Sequence, residues 1–191
     1  MRGVVLALVV CCCRAQTAPG QAQDAPETLY HFGTTVVKST GLRGDIYLLR
    51  PGTAGLPNFR KLKPEGSIYT TSLNVPNMSF TQGFPGVTNR FEWFAIDYSG
   101  TFWIEDAGHY RFALLSDDGS KLYIDGHNVI NNDGIHAAHV EYGIVNLKNG
   151  RHQIRVSYFQ GPRWQVALVL SVARPGQDFR IFNTDDFLPP Q

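Results

Sequence analysis

Residues 108–126 constrain this chain more than any other stretch: two runs of alternating side chains flank a turn that carries adjacent carboxylates. Tyr110, Phe112 and Leu114 fall on one face of the first run, and Leu122 and Ile124 repeat the pattern in the second. A period of two marks half-buried strands. Asp118-Gly119 and Asp125-Gly126 supply the positive-φ turn chemistry that lets such strands double back. The alternation recurs in Phe102 and Ile104, in Ile154, Val156 and Tyr158, and in Val166, Leu168, Leu170 and Val172. Short strands at close spacing predict an all-β fold, an antiparallel β-sandwich of jelly-roll-like form in a single domain. Burying one large apolar side chain contributes about 1.5–3 kcal/mol, so several such rows can hold a domain together without a disulfide.

Upstream, the aromatic and β-branched residues of 29–37 predict a first strand, with further strands over 45–49 and 68–73. Between them, 51–64 reads as a long loop, and Pro76-Asn77 reads as a turn. The tail carries Phe179, Ile181, Phe182, Phe187 and Leu188, which predicts that it docks on a sheet. No segment has a convincing helical period.

The first residues, Met1-Arg2, an apolar run from Val4 to Cys13 and small residues at Ala15 and Ala18, predict a secretory signal peptide over 1–18. The mature protein is then expected in the periplasm, at the cell surface or outside the cell. A flexible linker rich in Ala, Gln and Pro follows over 19–28, and the domain itself over 29–191. The apolar run is too short to span a bilayer, so no transmembrane helix is expected. Cleavage would remove Cys11, Cys12 and Cys13, leaving no disulfide. The same cysteines permit a second reading, a lipoprotein cleavage box that leaves an acylated N-terminal cysteine as a lipid anchor. The chain has 17 basic and 16 acidic residues, and loss of Arg2 and Arg14 with the leader leaves 15 against 16, a net charge of −1. That balance argues against nucleic acid as a partner, and the basic cluster at Arg60-Lys61-Leu62-Lys63 reads as a solvated loop.

The run Gly108-x-Tyr110-x-Phe112, then Ser116-Asp117-Asp118-Gly119-Ser120, then Leu122-Tyr123-Ile124-Asp125-Gly126 resembles the β-sandwich module named after the N-terminal fragment of anthrax protective antigen, the fourteen-kilodalton protective antigen domain. The likeness continues through Val129 to His136, Leu147 to His152 and Val156 to Gly161, and extends over about residues 40–175. Gly83-Phe84-Pro85-Gly86-Val87 and Phe91-Glu92-Trp93-Phe94 are similar to the bacterial variant found in fibro-slime proteins.

Adjacent carboxylates at Asp117 and Asp118 repel unless a hard divalent cation coordinates both through oxygen, and calcium fits that chemistry. Within the family, fungal flocculins and epithelial adhesins are similar here, with an Asp-Asp pair joined by a cis peptide that holds calcium and through it sugar hydroxyls. The resemblance thus implies a metal role for Asp117 and Asp118 and a carbohydrate or glycoconjugate as partner. The remaining recognition residues of the fungal lectins do not align here, so specificity does not carry over. Asn131, Asn132 and Asp133 form an oxygen-rich run able to add ligands, and Trp164 can stack on a sugar ring. Each has a plainer reading. Asp117-Asp118 is also a turn without metal, Asn132-Asp133-Gly134 is also a turn, and Trp164 can close the edge of the core, where Trp93 and Trp103 are expected.

His136 and His139 lie three apart with His127 before them, but three-apart histidines make a strong zinc pair only on a helix, and this segment has no helical period. Glu92, Glu105 and Glu141 could include a glycosidase pair, but each also reads as a surface charge, and no nucleophile elbow or phosphate-cradling loop is present. The sequence therefore points to an exported, non-catalytic binding module for carbohydrate at the cell envelope, with calcium assistance. The alternative is a structural or protein-interaction module of an envelope assembly, in which the Asp-Asp turn shapes a hairpin without metal and the partner is an envelope protein.

Overall fold

A computed structural model describes residues 30–162 and 165–191. The expected signal peptide, the three cysteines, the linker and Trp164 lie outside the described residues. Among the described residues, eleven strands form two antiparallel sheets, as the alternation requires. They are β1 (Leu42–Leu48), β2 (Gly66–Thr70), β3 (Asn74–Ser79), β4 (Phe94–Ile104), β5 (Gly108–Asp117), β6 (Ser120–Ile124), β7 (His127–Asn132), β8 (His139–Leu147), β9 (Gly150–Gln160), β10 (Gln165–Ala173) and β11 (Arg180–Ile181). The larger sheet runs β2-β1-β4-β9-β6-β7, the smaller β11-β10-β5-β8, with β3 also paired to β10. Two short 3-10 turns, Phe59–Lys61 and Thr184–Phe187, are the only helical segments among the described residues, and none is long and apolar enough to cross a membrane.

The inward rows of both sheets make one core. Ile96, Tyr98, Phe112, Leu114, Val156, Tyr158, Leu168 and Leu170 are all buried within it. At one end, Phe32, Phe80, Phe84, Phe94 and Tyr158 pack ring against ring, with Phe32 stacked on Tyr158 at 5.4 Å. At the other, the tail docks as expected: Phe182 and Phe187 are buried, stacked at 5.3 Å and met edge-on by Phe102. A second, smaller cluster of Tyr47, Leu49, Ala95 and Phe159 lies beneath Leu56 and Phe59 of the 51–64 loop.

Several local expectations are corrected. The 29–37 segment makes a single bridge, Thr34 to Tyr69, and Val36 and Val37 are exposed. Pro76-Asn77 is a bulge within β3, where two residues oppose Ala167 alone. As β3 pairs only with β10, the missing Pro76 N–H is tolerated. Trp93 and Trp103 are half-buried outside the main core, Trp93 against the smaller cluster and Trp103 on the outer face of β4.

Candidate functional site

Asp125-Gly126 closes the β6–β7 hairpin with φ of 50° and 79°, as its sequence predicts. The Asp117-Asp118-Gly119 turn does something else. β5 pairs with β8 and β10, whereas β6 pairs with β7 and β9, so the turn carries the chain from the smaller sheet to the larger. The hairpin expected there is a crossing between sheets. Gly119 permits it: a Cβ at this position would lie 2.5 Å from Phe159 Cε1 and 2.6 Å from the Gly134 nitrogen.

The Asp117–Asp118 peptide bond is cis, and both side chains are buried, 8% and 4% exposed. Asp118 is bound to two loops. Its Oδ1 accepts the His136 N–H at 3.1 Å and its Oδ2 accepts the Gly161 N–H at 2.8 Å. The Tyr158 hydroxyl, deep in the core, lies 2.6 Å from the Asp117 carbonyl oxygen and 2.7 Å from Gln160 Oε1, which share its hydrogen. Gln160 in turn donates to the carbonyls of Pro162 and Gln165. The pair thus sits between the β7–β8 loop and the start of the β9–β10 loop, on a fixed polar floor.

Burial pushes the Asp117 carboxyl up to about 6, and the Asp118 carboxylate beside it pushes the same way, against the opposing pull of His136 and the Ala138 amide. Burial also raises Asp118, against the amides of Gly161 and His136. Two adjacent carboxyls in a buried site form an oxygen-only cradle suited to a hard cation, whose charge would offset the burial that opposes their ionisation. Replacing Asp118 by Ala strands two amides, so Asp118→Ala is expected to cost about 1–3 kcal/mol in denaturant unfolding.

The other predicted residues divide. Asn132 is buried near the turn, its amide donating to Ser116 Oγ at 3.0 Å and to the His139 carbonyl at 3.0 Å, and Ser120 donates to the same Ser116 oxygen. Both Asn132 amide hydrogens are used, which leaves its side-chain oxygen for other partners. Asn131 alternates to the exposed face of β7, away from Asn132. Asp133 is engaged structurally: its Oδ1 accepts the Leu56 N–H at 2.8 Å, and its Oδ2 accepts from Lys121 Nζ at 2.8 Å. The His136 ring nitrogens face the Ala137 and Asn132 carbonyls, and His139 pairs with Glu141 at 3.0 Å. Among the described residues, no group of three or more His, Cys, Asp or Glu could hold a metal. A cation at the pair would therefore complete its shell from amide or carbonyl oxygens or from its ligand. Sequence reading missed Tyr158 and Gln160 as site residues. The available signal was a glutamine at the end of an inward row, where Ile154, Val156 and Tyr158 lead one to expect an apolar side chain.

A cavity of about 940 Å³ lies instead among Tyr30, Phe32, Ile68, Met78, Phe80 and Phe84. Its walls lack convergent charge, and the carboxylate pair is the better candidate for polar ligand chemistry.

The model of the PA14 domain matches residues 40–183. Solved structures share the fold. The PA14 sugar-binding domain from an RTX adhesin is 19% identical with a TM-score of 0.63, over 76% of this chain and 96% of that one. The PA14 domain of the MpAFP antifreeze protein is 17% identical with a TM-score of 0.64, over 76% and 88%. The A domain of epithelial adhesin 9 from Candida glabrata, in complex with Galb1-3GlcNAc, is 15% identical with a TM-score of 0.54, over 82% and 93%. No curated protein matches the sequence. These matches correct the narrower resemblance: they support the PA14 domain, and give no evidence for the anthrax protective-antigen fragment itself or for its fibro-slime variant.

Proposed function

The chain belongs to the PA14 domain family, and from that premise we propose that it is an exported, non-catalytic carbohydrate-binding module in which Asp117 and Asp118 hold calcium. One observation carries the reading: two adjacent, buried carboxylates, one anchored by two loop amides, with burial opposing their ionisation. The likeness to a PA14 domain described as sugar-binding, and to an adhesin domain in complex with Galb1-3GlcNAc, supports the choice of ligand. Calcium, when bound, would offer open coordination positions to vicinal hydroxyls.

The chain's own residues prepare that site. Tyr158 fixes the Asp117 carbonyl, Asp118 holds the two loops over the turn, and Asn132 presents its remaining oxygen nearby. Such a module works at the cell surface or outside the cell, where calcium and glycans meet.

The test is retention of the full chain on immobilised glycans, in calcium and in chelator. Calcium should raise retention, and that calcium-dependent part should vanish in chelator and in the double variant Asp117→Asn, Asp118→Asn. Undiminished retention by a folded double variant sinks the mechanism. A second reading, a protein-interaction module that needs no metal, is favoured by exposed Tyr142, Ile144 and Phe179, 63%, 67% and 39% accessible, with Tyr142 and Phe179 in contact. It predicts capture of the same envelope protein with and without chelator.

A further inference from the structure

The outer face of the larger sheet carries a hollow of about 470 Å³ between β4, β9 and the β6–β7 hairpin, within the size range of small-molecule sites. Tyr123 forms its aromatic wall, and Ser99, Thr101, Gln153 and Arg155 supply its polar lining. Arg155 is held rigidly. Its Nε donates to both Asp97 carboxylate oxygens at 2.8 and 3.0 Å, while its guanidinium lies 5.2 Å from the Tyr123 ring and 5.6 Å from that of Phe59. Among the described residues, its terminal nitrogens and the side chains of Ser99, Thr101 and Gln153 take no protein hydrogen bond. The hollow therefore combines an apolar wall with hydroxyl, amide and guanidinium groups that have no protein partners.

Charge decides what fits. The ionic groups in and beside the hollow are paired, Arg155 with Asp97, Arg43 with Asp45, and Lys121 with Asp133, while Arg151, exposed two residues along β9 from Gln153, stands outside its lining. A hollow whose one lining charge is already paired does little to select an ionic ligand, and suits an uncharged, hydroxyl-rich one. The hollow is remote from the carboxylate pair. Arg155 and Gly161 are six residues apart along β9 and its end, about 20 Å at ~3.3 Å per residue.

The geometry points to a second saccharide subsite, independent of metal, in which Tyr123 packs against a sugar ring while Gln153, Thr101 and the Arg155 terminal nitrogens hydrogen-bond its hydroxyls. This rests on the reading of the chain as a carbohydrate-binding module. It adds a second point of attachment on the same chain, which raises avidity for a polymer without new affinity at the first site.

Affinity electrophoresis of the full chain through gels holding laminarin, dextran or galactomannan, run with chelator throughout, tests it. Retardation of the wild-type chain by at least one polysaccharide is expected. Tyr123→Ala and Gln153→Ala, the latter an exposed side chain whose loss leaves the fold untouched, should each abolish it, while Asp117→Asn retains it. Retardation that appears only when calcium replaces chelator overturns the second subsite and leaves the calcium site standing. Retardation in chelator that survives both Tyr123→Ala and Gln153→Ala also overturns it. Absence of retardation in either condition overturns it together with the carbohydrate reading.

Discussion

Calcium should raise the melting temperature of the full chain at pH 7, and Asp117→Asn should remove that response while raising the melting temperature measured in chelator. The two effects share a cause. Burial and the neighbouring Asp118 lift the Asp117 carboxyl from 3.8 to about 6, so its ionisation at pH 7 opposes folding by on the order of 2–3 kcal/mol. Asparagine keeps the shape and removes the charge, which relieves that opposition, and with it goes one of the two carboxylates that would hold the cation. The wild-type response follows mass action: at a hundredfold excess over its dissociation constant, a ligand specific to the folded state adds about 2.7 kcal/mol, or about 5–10 °C for a chain of this size.

The pH dependence has a definite sign. A carboxyl whose folded pKa is raised destabilises the fold when ionised, so this penalty is complete above about 6 and fades as pH falls toward 3.8. Metal-free stability should gain from Asp117 on acidification across that window. Calcium must displace the proton, so its stabilisation should shrink over the same window. Scans in calcium and in chelator therefore converge near pH 4–5. A calcium response undiminished at that pH, or one that survives Asp117→Asn, removes Asp117 from the metal site.

Asp125 behaves in the opposite sense. Although burial raises it, hydrogen bonds from the buried His152 ring at 2.6 Å and the Gln153 amide at 2.8 Å hold its carboxyl below the ordinary value. Its contribution to stability is present at neutral pH and is lost only as pH falls through that depressed value, below the window in which Asp117 titrates. One acid titration thus passes through two carboxyls with opposite effects on the same fold.

What the sequence made legible was periodicity. The rows of β5, β9 and β10 stand where alternation placed them, because side-chain direction along a strand is fixed by the backbone and needs no tertiary information. Partner choice was not legible. Asp118-Gly119 and Asp125-Gly126 look alike as dipeptides, yet one crosses between sheets and the other closes a hairpin, and only the pairing of the strands beyond them separates the two. The same limit hid the roles of Tyr158 and Gln160, whose polar atoms reach the turn through the register of β9 against β6. It also made Asn131, Asn132 and Asp133 look equivalent, although alternation turns Asn131 outward, Asn132 inward, and Lys121 and Leu56 take Asp133. In the first segment, β-branched residues at Val36 and Val37 found no neighbouring strand, and propensity without a partner left them exposed.

Gly119→Ala should damage both fold and site, because the atoms in its way cannot retreat without displacing a loop that the site depends on. The added methyl would lie 2.5 Å from Phe159 Cε1, a fully buried ring in the smaller cluster, and 2.6 and 2.8 Å from the nitrogen and oxygen of Gly134. Flexible side chains absorb such an intrusion, whereas packed rings and backbone do not. The 133–138 loop, which carries the His136 amide bound by Asp118, is the part that can give. Its displacement breaks that hydrogen bond and opens the carboxylate pair to water. Overpacking typically costs about 1–3 kcal/mol, and the loss of the Asp118 contact places this variant at the upper end. Chemical denaturation should therefore show a lowered midpoint with an unchanged slope, and calcium should no longer raise the melting temperature of the fraction that folds. A variant with wild-type stability and an intact calcium response would mean that the turn does not pack against Gly134 as described.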